Sequence, residues 1–223
     1  TITSNYNFSQ NHNCNSSSQS FLISGVNLII DCKNYTITEI NASIIFSTSS
    51  HGVTIQNCIL IPNQTGVYLG GNGGAHGFKL INNTIQHGTQ GLETSGTNHD
   101  DLNISYNTFF NLSNRDLSIS FDSYGKAYSK NVTIQYNIFN QSQLIYLSAR
   151  EGLVFDQTNT FTNMYGGLYF QDSSHTLIRD LILNTNGTAI TLSSTGTYSS
   201  FGLNMTLTNI TANNARIGLQ YDY

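Results

Sequence analysis

Two short blocks recur along this chain, and a recurrence at this spacing constrains the fold more than any single motif could. The first is an apolar strand that follows a Gly or a polar residue: GVYL (66–69), GLET (91–94), DLSISF (116–121), IYLSA (145–149), GLYF (167–170), TAITL (188–192) and IGLQY (217–221). The second lies between them: GVTIQNCILI (52–61), GFKLINNTIQ (77–86), DLNISYNTFF (101–110), NVTIQYNIFN (131–140), GLVFDQTNTF (152–161) and HTLIRDLIL (175–183). Both alternate apolar and polar residues, so every second side chain shares a face. No segment has a helical period, and the β-branched, Tyr and Phe content suits strands. The expectation is an all-β solenoid of about eight coils, each winding three short strands and stacking parallel on the coil before it, about 4.8 Å away.

On this register one inner wall runs from Val67 and Leu69 through Leu117, Ile145 and Leu168 to Ile217 and Leu219. A second runs from Val53 and Ile55 through Leu80, Ile104 and Ile134 to Leu177. The stretch 1–19 reads as a polar N-terminal arm and 20–223 as the solenoid, with no linker or charge run to divide it. Just after the strand in each second block stands Cys58, Asn83, Asn107, Asn137, Asn159 and Asp180 in turn. Such a column predicts a structural ladder: stacked amides bond from coil to coil, and Asn tolerates the left-handed backbone of a tight bend. Three cysteines allow one disulfide. Cys14 with Cys32 would tie the arm to the first coil; Cys32 with Cys58, on adjacent coils, is the other pairing the geometry permits.

Charged residues make up only 9% of the chain, where about a quarter is usual, so surface charge is not its main source of solvation. With 8 Lys+Arg and a net charge of -4 there is no basic stripe for phosphates, which argues against nucleic acid as a partner. No apolar run approaches the ~18 residues of a spanning helix, which argues against membrane insertion. The acceptor sequence Asn-x-Ser/Thr, in contrast, is abundant. It occurs at Asn7, Asn15, Asn34, Asn41, Asn63, Asn82, Asn103, Asn111, Asn131, Asn140, Asn186, Asn204 and Asn209. These thirteen sites stand against about seven expected by chance from the composition. Covalent N-glycans on an extracellular or cell-surface protein would supply the solvation that charge does not. Asn82, Asn103 and Asn131, beside the second wall, are the foremost acceptors on this reading.

Chemistry-bearing residues are sparse. Down the outer face of the first wall, Tyr68, Glu93, Ser118, Tyr146, Tyr169 and Thr191 include one carboxylate, so a paired-acid or Ca²⁺ cluster is not expected there. Asp100, Asp101 and Asp122 could converge from neighbouring coils, but turn-forming Asp and an Asp122–Arg150 surface pair explain them as well. The six histidines show no metal-ligand spacing. No catalytic residue, cofactor or metal site is expected. Tyr68, Tyr146 and Tyr169 share one outer face, where half-exposed strand tyrosines at a packing contact are the commoner use and sugar-ring stacking is the alternative.

The strings NLIIDCKNYTI, GVTIQNCIL and FKLINNTI resemble the repeats of the large parallel β-helix family, which includes pectate-lyase-like and NosD-type proteins and many archaeal surface proteins. The resemblance spans roughly residues 20 to 221, and the flavour of IIDC followed by IQNC is most similar to the archaeal cell-surface members. It implies a single-stranded, right-handed parallel β-helix and is uninformative on activity. The expectation that follows is a non-catalytic structural glycoprotein, assembled head to tail into a surface layer or filament. The alternative is a polysaccharide-binding or polysaccharide-degrading solenoid.

Overall fold

A computed structural model describes residues 1–15, 19–48, 51–70, 74–95, 99–119, 129–156, 158–171, 176–193 and 205–222. Every element in it is a β-strand. Most strands fall into three long parallel sheets that the chain visits in rotation, and Ser129–Lys130 with Ala149–Glu151 and Ile182–Asn184 with Thr211–Asn213 form two further pairs. Sheet 1 contains Ile29–Asp31, Thr54–Gln56, Lys79–Ile81, Asn103–Ser105 and Thr133–Gln135; sheet 2 contains Thr36–Glu39, Ile59–Ile61, Thr84–Gln86, Thr108–Phe110 and Ile138–Asn140. Sheet 3 contains Thr65–Gly70, Gln90–Thr94, Arg115–Ile119, Ile145–Leu147 and Leu168–Gln171. The three run together for about seven turns of a parallel β-solenoid, and sheets 1 and 3 hold nine strands each.

Alternation decides what is inside. Ile55, Leu80, Ile104 and Ile134 from sheet 1 meet Leu60, Ile85, Phe109 and Phe139 from sheet 2, and Leu92, Leu117, Ile145 and Leu168 from sheet 3; all are buried. Equivalent residues stack directly, as Leu80 pairs with Ile55 on one side and Ile104 on the other. Phe109, Phe139 and Phe161 form a file of parallel rings with centroids 5.2 and 5.3 Å apart. One apolar core therefore runs the length of the molecule, each rung burying its neighbours.

Three expectations need correction. Residues 1–19 are not a separate arm: Tyr6–Asn7 and His12–Cys14 pair with Ile29–Asp31 and Thr36–Glu39 as the first rung, with Phe8 buried over the core. Leu177 is 37% exposed, because Thr176 and Ile178 take the inward positions of that strand. A one-residue slip exchanges faces, and the same slip moves Asp180 out of the ladder and puts Leu181 inside. Ile217 and Leu219 do pair in register with Thr188 and Ile190, yet they are 46% and 58% exposed, since no described rung lies beyond them.

Candidate functional site

In most rungs the corner between sheets 1 and 2 is built from two adjacent residues. The outer one takes the left-handed backbone: Asn57, Asn82, Tyr106, Tyr136, Asp180 and Asn209 all have φ between 51° and 59°. The inner one is the ladder residue, so the ladder asparagines serve through their side chains, and the left-handed conformation falls to the residue before Asn83, Asn107 and Asn137. Asn83, Asn107, Asn137 and Asn159 are buried, and each of the first three donates its backbone N–H to the next amide oxygen at 2.9–3.1 Å. Their Nδ2 groups donate to the same oxygens at 3.0 Å. They also reach back to the carbonyls of Ile55, Leu80 and Ile104, at 2.8–3.0 Å. Stacked amides thus satisfy the bend's polar groups in an apolar interior, where leaving one unpaired costs about 1–3 kcal/mol.

Cys58 opens this column, its N–H donating to Asn83 Oδ1 at 2.9 Å. Its sulfur is bonded to Cys32, in the longer bend of the preceding rung, with the Cα atoms 4.7 Å apart. Cys14 is left with its thiol, so the Cys14–Cys32 pairing is not formed. At the other end the column stops. Leu181 follows Asn159 and offers no acceptor, and Asn159 N–H turns to Asp156 O in its own bend.

Sheet 2 stops at the same rung. Thr160–Thr162 is its last strand, and Ile182–Asn184 pairs only with Thr211–Asn213, while sheets 1 and 3 continue through. Pairing lapses over these three residues and resumes at Met164, whose N–H donates to Asn184 O at 3.0 Å. A cleft of about 340 Å³ lies there, lined by Asn159, Thr160, Phe161, Thr162, Asp180, Ile182 and Asn184. Asn184 also borders a second hollow of about 230 Å³, lined by Gln141, Asn163, Met164, Tyr165, Thr185, Asn186 and Asn214. The lining is mostly amide and hydroxyl, with Ile182 (60% exposed) and Tyr165 (54% exposed) as its apolar surfaces.

On sheet 3 the tyrosine strip is a connected surface. Tyr146 and Tyr169 stack at 5.3 Å, and the Arg115 guanidinium lies 4.7 Å over the Tyr146 ring while donating to Ser118 Oγ at 3.0 Å. The Tyr146 hydroxyl donates to Gln171, and Tyr68 bonds to Ser95. Glu93, in register between Tyr68 and Ser118, accepts from Thr65 Oγ1 at 3.3 Å.

The acids serve the bends. Asp100 accepts the Lys130 N–H at 3.1 Å and lies 3.4 Å from His76, and Asp101 accepts from Asn131 Nδ2. Asp122 lies outside the described residues, as do Asp172, His175 and the side chain of Arg150. Burial would raise the Asp31 carboxyl, but the amides of Asn57 and Gln56, the Lys33 N–H and the Lys33 charge bring it down to about 2. Burial lowers His99, whose Nδ1 accepts from Ala75 N–H at 3.0 Å, so its neutral ring is a fixed strut. Asp116 is the one that alternation alone did not reveal. It is fully buried, burial pushes its carboxyl up to about 7 with only partial relief from the Ser142 hydroxyl, and neither oxygen has a hydrogen bond of ordinary geometry. Among the described residues no group of three His, Cys, Asp or Glu could hold a metal ion, and no helix is long and apolar enough to cross a membrane.

Twelve of the thirteen acceptor asparagines are described; Asn204 is outside those residues. Asn7, Asn15, Asn34, Asn41, Asn63, Asn82, Asn111, Asn131, Asn186 and Asn209 are exposed, mostly in bends. Asn103 and Asn140 are half-buried with their amide oxygens enclosed, so Asn103 is a poorer acceptor than its motif suggested. Family models, curated proteins and solved structures contain no match to this chain.

Proposed function

We propose that this chain is an extracellular, glycosylated and non-catalytic structural solenoid, similar to the archaeal cell-surface members of the parallel β-helix family and wound in their right-handed sense. The observation that carries the reading is the exposure of ten acceptor asparagines around a body that has little charge of its own. A disulfide joining adjacent rungs suits the same oxidising exterior. The acids support it too, since Asp31, Asp100, Asp101 and Asp156 are engaged by bend amides and hydroxyls. Site-by-site peptide mapping of secreted material tests it. Asn82 and Asn131 occupied, with Asn103 lower, is the expected result; all three bare would end the proposal.

The proposed role is a building block of a surface layer or filament. The strand Ile217–Asp222 holds Ile217 and Leu219 in the register of the buried wall, and the first rung of a second copy would bury them head to tail, a heterologous contact that propagates. Electron microscopy of native protein tests this: filaments or ordered layers support it, whereas dispersed single particles, or further rungs of a longer chain covering that edge, refute it. A second reading, a polysaccharide-binding solenoid, rests on the Tyr146–Tyr169 stack with Arg115 beside it. Titration with an oligosaccharide panel, and its loss in Tyr169→Ala, would favour that reading.

A further inference from the structure

We propose that the hollow beside the sheet 2 opening is the seat of the chain's own N-glycan, carried by Asn186. This rests on the glycoprotein reading above and goes beyond it by giving one glycan a bound position. Asn186 is the only acceptor asparagine among the described residues that lines either hollow. It is exposed, and its backbone N–H is held by Met164 O at 3.1 Å, so a sugar joined to Nδ2 starts inside the hollow at a fixed point. Around that point stand Gln141, Asn163, Asn184 and Asn214, whose amides both donate and accept and so match the hydroxyls of a neutral sugar. Tyr165, exposed in the same hollow, offers a ring face for the apolar C–H side of a sugar. Neither Lys nor Arg lines the hollow, so the chemistry selects an uncharged glycan over an acidic one. The opening of sheet 2 leaves the room: the adjoining cleft continues past Asn184 toward Ile182, along the path a second and third sugar would take.

The test uses chain secreted from a eukaryotic host and treated, while folded, with a peptide-N-glycosidase, with release at each asparagine followed by mass spectrometry. Release at Asn186 is expected about tenfold slower than at Asn131 on an open bend, the factor that about 1.4 kcal/mol of seating gives. Tyr165→Ala, at an exposed position and checked for an unchanged melting temperature, should bring the two rates to within about twofold. Equal rates in the wild type overturn the proposal. So does slow release that Tyr165→Ala leaves unchanged, which would mean that the enzyme is merely hindered. So too does an Asn186 left bare while Asn82 and Asn131 are occupied. A chain bare at every acceptor would instead remove the glycoprotein reading itself, and this inference with it.

Discussion

The rungs from Cys58 to Asn159 and the rungs after them are made of the same three strands, yet sheet 2 runs unbroken through the first region and loses its pairing at the boundary with the second. They differ at one inner corner position. Where it is Asn, four amides pass hydrogen bonds from rung to rung; where it becomes Leu181 and then Ile210, the amide column ends and Thr160–Thr162 faces Ile182–Asn184 without pairing. Sheets 1 and 3 cross the same boundary intact, with Ile178 pairing to Phe155 and Ile190 to Leu168. Apolar stacking alone thus carries two sides of the triangle across the boundary, whereas the third loses its pairing where the amide column ends and regains it between Ile182–Asn184 and Thr211–Asn213.

The largest effect should come from breaking the ladder at its middle. Asn107→Leu removes the amide that accepts from Asn83 and donates to Leu80 O and Asn137 Oδ1, and it leaves those groups buried. A loss of about 3–5 kcal/mol is expected by denaturant unfolding; an unchanged midpoint would mean that the ladder carries no stability. Next is the disulfide that anchors the column, closing a separation of 26 residues. Cys32→Ser with Cys58→Ser should cost about 3 kcal/mol, again by denaturant midpoint.

Asp116 separates pH from packing. Its carboxyl stays protonated in the fold up to about 7, whereas the unfolded chain releases that proton in the ordinary carboxylate range. Its contribution to stability is therefore complete below about pH 4 and is lost as pH rises through about 7. Melting of the wild type should fall by several degrees over that window relative to Asp116→Asn; parallel curves would place the carboxyl in water. Asp31 acts in the opposite sense and outside that window, its contribution being present above the ordinary range and lost as pH falls toward about 2. The smallest effect is the most instructive one. Leu181→Asn supplies the missing acceptor at the cost of an apolar side chain, so net stability should change by no more than about 1 kcal/mol. Slower amide exchange at Phe161 and Ile182 would show the corner closing, and unaltered exchange there would count against it.

Alternation made most of the fold legible. Ile55, Leu80 and Ile104 announce sheet 1, and the regular return of Asn83, Asn107 and Asn137 announces its corner. The pattern failed where it was locally ambiguous. In HTLIRD two consecutive apolar residues let the strand be read in either phase, and choosing Leu177 over Ile178 carried Asp180 into the ladder by the same slip. The first rung was hidden because Phe8 is nearly its only large apolar residue, set among Asn, Ser and Gln. Acceptor motifs mark where an asparagine could carry a glycan but not whether it faces water; Asn103 and Asn131 have equivalent motifs and unlike burial. Asp116 gave no signal, because Leu117 and Ile119 set the inward phase of its strand and so assign Asp116 to the other face, yet it is buried there while Arg115 lies over Tyr146. The cleft had no signal at all except the leucine that interrupts the column.

Native-state hydrogen exchange, resolved residue by residue, tests the ladder account most directly. The bend and strand amides of Asn83, Thr84, Asn107, Thr108, Asn137 and Ile138 should exchange only on global unfolding. Those of Phe161 and Ile182, which face the unpaired junction, should exchange by local opening, at least about a hundredfold faster. Equal protection of these amides and those of the ladder would contradict the claim that sheet 2 is interrupted where the amide column ends.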